Sequence, residues 1–292
     1  MISPTEDQTR TTTDSTPEGS ESLCLDEPAS PALREDAPYG SRPASGVPDV
    51  AIVIPAYNEA ATIADIVRRA LAVAPAVIVV DDGSSDGTGS IAQRCGATVL
   101  RNPVNSGKGA SLWNGMMHAL NAGTADVVTL DADGQHRPED VARLVDAARR
   151  NPGTIVIGSR RAHKDAFPRA RYIANRIADF WISWASGHPI DDTQSGFRVY
   201  PASALRGLSA RPPLATGFAF ESELLICAGW HGVRTVSIDI PALYGSVLRR
   251  PSYFRPVADI CRIVVMVASK LLRRGMYPVG LWRTVAAGIR PR

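Results

Sequence analysis

Across residues 50–158 short continuous apolar runs alternate with stretches whose apolar residues recur every three or four positions. Val50-Ala51-Ile52-Val53-Ile54 is rich in β-branched residues and is stopped by Pro55, the pattern of a buried strand. Ile63, Ile66, Val67, Ala70 and Leu71 then fall on one helical face, with Asn58 as the expected cap. A second strand is expected at 76–80, a helix at 87–95 and a third strand at 97–100. Gly107-Lys108-Gly109 opens a helix to residue 122, and strand 127–130, helix 138–150 and strand 154–158 follow. Continuous apolar strands alternating with helices predict an α/β fold with a mainly parallel central sheet covered on both faces. Ligands of such sheets gather at the carboxyl ends of the strands.

After Phe167 the pattern changes. Ile173, Ile177, Phe180, Trp181 and Trp184 keep helical spacing, with Arg169, Arg171 and Arg176 close by. This stripe suits a core helix or one lying in a membrane interface. Residues 260–272 form a second apolar helix, flanked by Arg262, Lys270, Arg273 and Arg274. The expected division is an acidic disordered tail (1–46), a catalytic domain (47–256) and a C-terminal amphipathic helical segment at the membrane interface (257–292).

Charge sharpens that division. Residues 1–46 hold three arginines against nine acids, a net of −6, and lack apolar periodicity. They also lack the basic start and apolar core of a secretory signal. The whole chain is +3, so the remaining 246 residues carry +9. Such a body suits phosphate-bearing substrates or an acidic membrane surface, and no nucleic-acid-binding module is recognisable. No apolar run reaches the roughly eighteen residues of a spanning helix. The expected location is therefore cytoplasmic, peripheral on the membrane's inner face. Cys24, Cys95, Cys227 and Cys261 lie far apart and read as reduced packing residues.

Four turns fall at strand ends: Pro55-Ala56-Tyr57-Asn58-Glu59, Asp81-Asp82-Gly83-Ser84, Asp131-Ala132-Asp133-Gly134-Gln135-His136, and Gly158-Ser159-Arg160. Asp131 and Asp133, with the Gln135 carboxamide, offer an oxygen set suited to magnesium or manganese, completed by phosphates and water. The simpler alternative is a loop whose Asp-Gly and Pro138 make turns and caps. A sugar nucleotide gives every turn a use: aromatic and acidic groups beside base and ribose, Asp82 on a base edge, a cation and Arg160 on the diphosphate.

These motifs, with Asp191-Asp192-Thr193-Gln194-Ser195-Gly196-Phe197-Arg198, resemble family 2 glycosyltransferases over about residues 50–256. The likeness is to the dolichyl-phosphate mannose or glucose synthase branch and its bacterial polyprenyl-phosphate relatives. The resemblance implies a GT-A sandwich, inversion at the anomeric carbon, and Mg2+ or Mn2+. By the same resemblance Pro55, Tyr57, Glu59, Val80 and Asp82 bind the nucleoside of a UDP- or GDP-linked sugar. Asp131, Ala132 and Asp133 bind the sugar-diphosphate end, and Asp131, Asp133 and Gln135 hold the metal. Arg160 belongs on the donor or acceptor phosphates. The family's later Arg and Ser-Lys pair is only partly kept: Ser252 matches, Tyr253 replaces the lysine, and Arg249, Arg250 or Arg255 supplies charge instead.

The expected reaction is transfer of a hexose to a polyprenyl phosphate, with Asp133, Arg160 and Asp192 as catalytic residues. An ionised phosphate acceptor needs no protein base, its second pKa being about 6. A sugar or lipid hydroxyl acceptor would need one, and Asp192 and Glu221 are the candidates. A nucleotidyltransferase is disfavoured because no glycine-rich basic loop follows the first strand, and Gly107-Lys108-Gly109 lacks a phosphate-loop pattern. An inactive scaffold keeping the fold is disfavoured by the intact Asp131, Asp133 and Arg160.

Overall fold

A computed structural model describes residues 49–161, 169–210, 213–215, 217–241 and 256–288, all within the unit spanning residues 33–292. The expected acidic tail and the turn carrying Arg249, Arg250, Ser252, Tyr253 and Arg255 lie outside the described residues.

Strands β1 (Val50–Ala56), β2 (Ala76–Asp81), β3 (Thr98–Arg101), β4 (Asp126–Thr129), β5 (Ile155–Ser159), β6 (Arg198–Pro201) and β7 (Thr235–Asp239) form one sheet in the order β3-β2-β1-β4-β6-β5-β7. All described pairings are parallel except those of β6, which runs antiparallel to β4 and β5. Helices α1 (Ile63–Leu71), α2 (Thr88–Arg94), α3 (Lys108–Asn121) and α4 (Val141–Arg150) follow the parallel strands as the apolar spacing predicts. One turn of 3-10 helix, Pro138–Asp140, precedes α4. Beyond them lie α5 (Arg169–Ser186), α6 (Ala202–Ser209), α7 (Ala219–Trp230), α8 (Pro256–Arg273) and α9 (Pro278–Ala286).

The strands alternate faces. Val53, Ile78, Val80, Val127, Ile155 and Ile157 join one core with Leu112 and Met116 of α3, Phe180 of α5, Leu224 of α7 and Val267 of α8. Ile52, Ile54, Val77, Val79, Val128 and Val199 join the other with α1 and α4. Burial on both faces is why these strands read as unbroken apolar runs.

One expectation fails locally. Asn58 does not cap α1, which begins at Ile63: Asn58 sits at φ 54° and turns its Oδ1 to accept from the Ser85 amide at 2.9 Å. The stripe on α5 is divided, for Phe180 and Trp184 are buried whereas Ile173, Ile177 and Trp181 are exposed. Trp184 donates Nε1–H to the carbonyl of Met276 at 3.0 Å, tying α5 to the α8–α9 turn.

Candidate active site

The order of strands reverses beside β1, with β2 on one side and β4 on the other, so their carboxyl ends open onto one crevice. The first two turns are stitched together: Ser84 Oγ accepts from the Asn58 amide at 3.0 Å and Thr88 Oγ1 from the Glu59 amide at 2.8 Å. Thr62 Oγ1 donates to the Ala132 carbonyl at 2.8 Å, fastening the first turn to the acidic hexad. Antiparallel β6 supplies what no parallel strand could. Its amino end lies at the carboxyl ends of β4 and β5, which brings residues 191–197 into the crevice. Thr129 Oγ1 donates to the Gly196 carbonyl at 2.7 Å and Ser195 Oγ to that of Gly158 at 2.6 Å, locking this segment across both neighbours.

A cavity of about 990 Å³ opens there, and Lys108, Asp131, Asp133, Gln135, His136 and Arg160 line its polar end. Lys108 Nζ lies 2.7 Å from Asp131 Oδ1 and 2.9 Å from Glu221 Oε2, joining β4's end to the first turn of α7. Burial opposes the Lys108 charge, but Asp131 and Glu221 outweigh it and keep the ammonium protonated. Burial likewise raises Asp131, and Lys108, His136 and Arg160 together reverse the effect and hold its carboxyl below the usual range. Asp133 is pushed up to about 6, by burial first and then by the charge of Asp131. His136 is buried, its Nδ1 has no hydrogen-bond partner among the described residues, and burial lowers it to about 4, so the imidazole is neutral near pH 7.

Arg160 and Asp192 form a buried bidentate pair, Nε to Oδ2 at 3.1 Å and Nη2 to Oδ1 at 3.0 Å, and the Arg160 amide also donates to Oδ2. Both carboxylate oxygens of Asp192 are thus engaged by the Arg160 guanidinium, which holds that side chain in place. Glu221 pairs with Lys108 rather than with an arginine.

The rest of the cavity is apolar. Arg171, Ala174, Asn175, Ala178, Trp181 and Ile182 line it from α5 at helical spacing. Facing them from α8 are Ile260, Ile263, Val264, Val267, Leu271 and Leu272.

The profile of the family described as glycosyl transferase family 2 matches residues 51–206, more than half the chain. The chain belongs to glycosyl transferase family 2. Among curated relatives, polyprenol monophosphomannose synthase of Mycolicibacterium smegmatis is 30% identical over 200 residues, 65% of this chain and 75% of the relative. Undecaprenyl-phosphate mannosyltransferase of Micrococcus luteus is 31% identical over 206 residues, 65% and 82% of the two chains. Glucosyl-3-phosphoglycerate synthase of Mycobacterium tuberculosis, solved with Mn2+, UDP-glucose and phosphoglyceric acid, superposes with a TM-score of 0.52 at 26% identity, covering 77% of this chain and 79% of that one. Mannosyl-3-phosphoglycerate synthase of Rubrobacter xylanophilus, at 22% identity and TM-score 0.55 over 77% and 73%, shares the fold. The GT-A expectation and the assignment as a glycosyltransferase both hold.

Within this family 2 fold the expected donor residues divide. Asp131, Asp133 and Gln135 line the cavity together; Pro55, Tyr57, Glu59, Val80, Asp82 and Ala132 do not. Val80 is fully buried and packs its side chain into the core, so only its main chain could face a nucleoside. Asp82 is committed within the protein: Oδ1 accepts from Asn102 Nδ2 and the Ser106 amide, and Oδ2 from the Gly107 amide, each at 2.8 Å. These bonds fix the loop that launches α3.

Among the described residues no three His, Cys, Asp or Glu side chains converge as a metal cluster. Two carboxylates and a carboxamide nonetheless fit a hard cation that draws its remaining ligands from substrate, and the mutual repulsion of Asp131 and Asp133 favours a cation beside them.

Sequence reasoning underrated four cavity residues. In the sequence Lys108 marks only a helix start, and Arg171 only flanks the aromatic stripe. Asn175 carried no signal beyond its i+4 spacing from Arg171. Arg198, wholly buried at the cavity wall, donates to Tyr200 Oη and to the carbonyls of Glu221 and Thr193, bracing both segments.

Proposed function

We propose that the protein transfers a hexose from a UDP- or GDP-linked sugar to a polyprenyl phosphate at a membrane surface, with inversion and with Mg2+ or Mn2+ bound. The observation that carries this reading is the continuity of one cavity: acids and cations at β4's end, an apolar trough between α5 and α8. A sugar diphosphate suits the first part and a polyisoprenoid tail the second. Arg171 and Asn175, one helical turn apart on α5, line the same cavity and suit the acceptor phosphate together with Arg160. Arg249, Arg250 and Ser252 remain proposed partners of that phosphate. The named activities of the bacterial relatives support a lipid-phosphate acceptor.

Asp131, Asp133 and Gln135 would hold the cation, whose charge would offset that of the departing diphosphate. The acceptor oxygen attacks the anomeric carbon while its bond to the diphosphate breaks, and Arg160, aimed by Asp192, stabilises developing charge. The engagement of Asp192 and Glu221 by Arg160 and Lys108 favours an acceptor that arrives already ionised over a hydroxyl that needs a base.

The helices α8 and α9 support action at a membrane. Among the described residues no helix is long and apolar enough to cross one. Val264, Val265, Leu272 and Trp282 are 60–70% exposed, interspersed with Arg262, Arg273 and Arg283. Apolar residues beside arginines on exposed helices match interfacial binding to anionic lipid, on the cytoplasmic face.

Purified protein incubated with Mg2+ or Mn2+, polyprenyl phosphate and a panel of labelled UDP- and GDP-hexoses tests the reading. The expected product extracts into organic solvent and is labile to mild acid. Transfer only to an acid-stable glycoside rejects the phosphate acceptor. Asp133→Ala is expected to cost about 100-fold or more in rate, the scale of losing a group that stabilises developing charge. Retained activity rejects its role.

A further inference from the structure

We propose that Lys108 couples cation entry to nucleotide entry: its ammonium occupies Asp131 until a diphosphate arrives to take it, so cation and nucleoside diphosphate bind tightly only together. The inference rests on the donor reading above and deepens it.

Three observations lead there. Lys108 Nζ sits 2.7 Å from Asp131 Oδ1, on one of the carboxylates proposed above to hold the cation, and 2.9 Å from Glu221 Oε2. The opposite oxygens of the same two carboxylates also converge, for a methyl on Gly196 would lie 2.8 Å from Asp131 Oδ2 and 2.9 Å from Glu221 Oε1. A divalent ion and an ammonium cannot share Asp131 without strong repulsion at such range. Second, the two carboxylates and the carboxamide at this site among the described residues are fewer oxygens than magnesium or manganese takes, which leaves positions for phosphate. Third, the main chain of Lys108 is fixed while its side chain can swing. Asp82 holds the Ser106 and Gly107 amides just before it. Gly109 packs so closely on α7 that a Cβ there would meet Phe220 Cβ at 2.6 Å. A point charge on a flexible stem, anchored at its root, can turn from a carboxylate to a nearby phosphate. The diphosphate thus supplies the cation with ligands and gives the displaced ammonium a partner. By linkage each improves the binding of the other by the same factor.

The test is Mn2+ binding to the full chain, followed by electron paramagnetic resonance, with metal alone, with UDP and with GDP. For the unaltered chain a nucleoside diphosphate is expected to tighten Mn2+ binding by about tenfold or more, within the roughly 5–150-fold usual for linked sites. Lys108→Met and Lys108→Gln should bind Mn2+ alone about tenfold more tightly and lose most of the nucleotide gain, a coupling within the same range. A folded Lys108 variant with unchanged affinity for metal alone, or with an undiminished gain, overturns the proposal. Glu221→Gln keeps Lys108 and concentrates its charge on Asp131, so Mn2+ alone binds more weakly and the nucleotide gain grows. Unchanged values there overturn the proposal even if neither Lys108 variant folds, as does failure of both nucleotides to bind. No sugar moves in these titrations. Intact coupling with failed transfer to polyprenyl phosphate removes the acceptor assignment alone, and intact transfer without coupling removes only the role given to Lys108.

Discussion

At the scale of single residues, the site is built from charges that are already paired. Asp192, only 4% exposed and in the left-handed region at φ 49°, gives both oxygens to Arg160. Asp192→Asn strips the charge from one side of a buried pair, a loss that typically costs about 3–5 kcal/mol. Urea unfolding should show that loss, and transfer should fall because Arg160 is no longer aimed; a cost under about 1 kcal/mol would place the pair outside this class. Asp179, buried on α5, accepts from the amide and hydroxyl of Thr193, both at 2.8 Å. Burial nevertheless pushes its carboxyl up to about 6. The folded chain then binds more protons at Asp179 than the unfolded chain between about pH 4 and 6, so this group's stabilisation is present in acid and lost as pH rises through 6. His188 acts oppositely: burial, then Arg234, lower it to about 4, so its contribution is lost as pH falls from about 6.5. Asp179→Asn keeps an acceptor for Thr193 and removes only the first effect. Its stability should therefore rise more steeply with pH between 4 and 6 than that of the unaltered chain, by at most about 1.4 kcal/mol per unit. Parallel unfolding curves across this window would show that Asp179 titrates normally.

At the scale of elements, close approach between helix and sheet sets the crevice. α3 lies on β1 and β2 through Gly115, where an added Cβ would stand 2.4 Å from Val53 Cγ1 and 2.9 Å from Val80 Cγ2. Gly115→Ala should destabilise by about 1–3 kcal/mol, the usual cost of overpacking. Because α3 carries Lys108 at its first position, the strain should also raise the KM for the donor; unaltered stability would mean that the helix has room to shift. The principal elements were legible in the sequence because β1, β2, β4 and β5 are buried on both faces and leave unbroken β-branched runs. β6 was not, since Arg198-Val199-Tyr200-Pro201 is four residues long and begins and ends with residues untypical of a central strand. α7 was equally obscure. It is buried nearly all round, so no amphipathic stripe marks it.

At the scale of the whole molecule, the crevice and the exposed faces of α8 and α9 lie on the same unit, and the apolar trough runs from the crevice along α8. Replacing exposed Val279 and Trp282 of α9 with serine should leave the fold intact and weaken binding to anionic vesicles. Burial of one large apolar side chain is worth about 1.5–3 kcal/mol, so a loss of roughly tenfold or more is expected in co-sedimentation. Undiminished binding would move the membrane contact elsewhere. The sequence by itself determined the alternating α/β order, the acidic hexad and the family, because period, turn chemistry and motif order are local properties. Tertiary structure alone decided what each charge faces. Antiparallel β6 carries residues 191–197 back to the ends of β4 and β5, which sets Asp192 against Arg160. The packing of α3 on α7 sets Lys108 between Asp131 and Glu221. Residues separated by tens of positions share no periodicity, so their meeting is written in sheet order and helix contacts, which a linear pattern does not record.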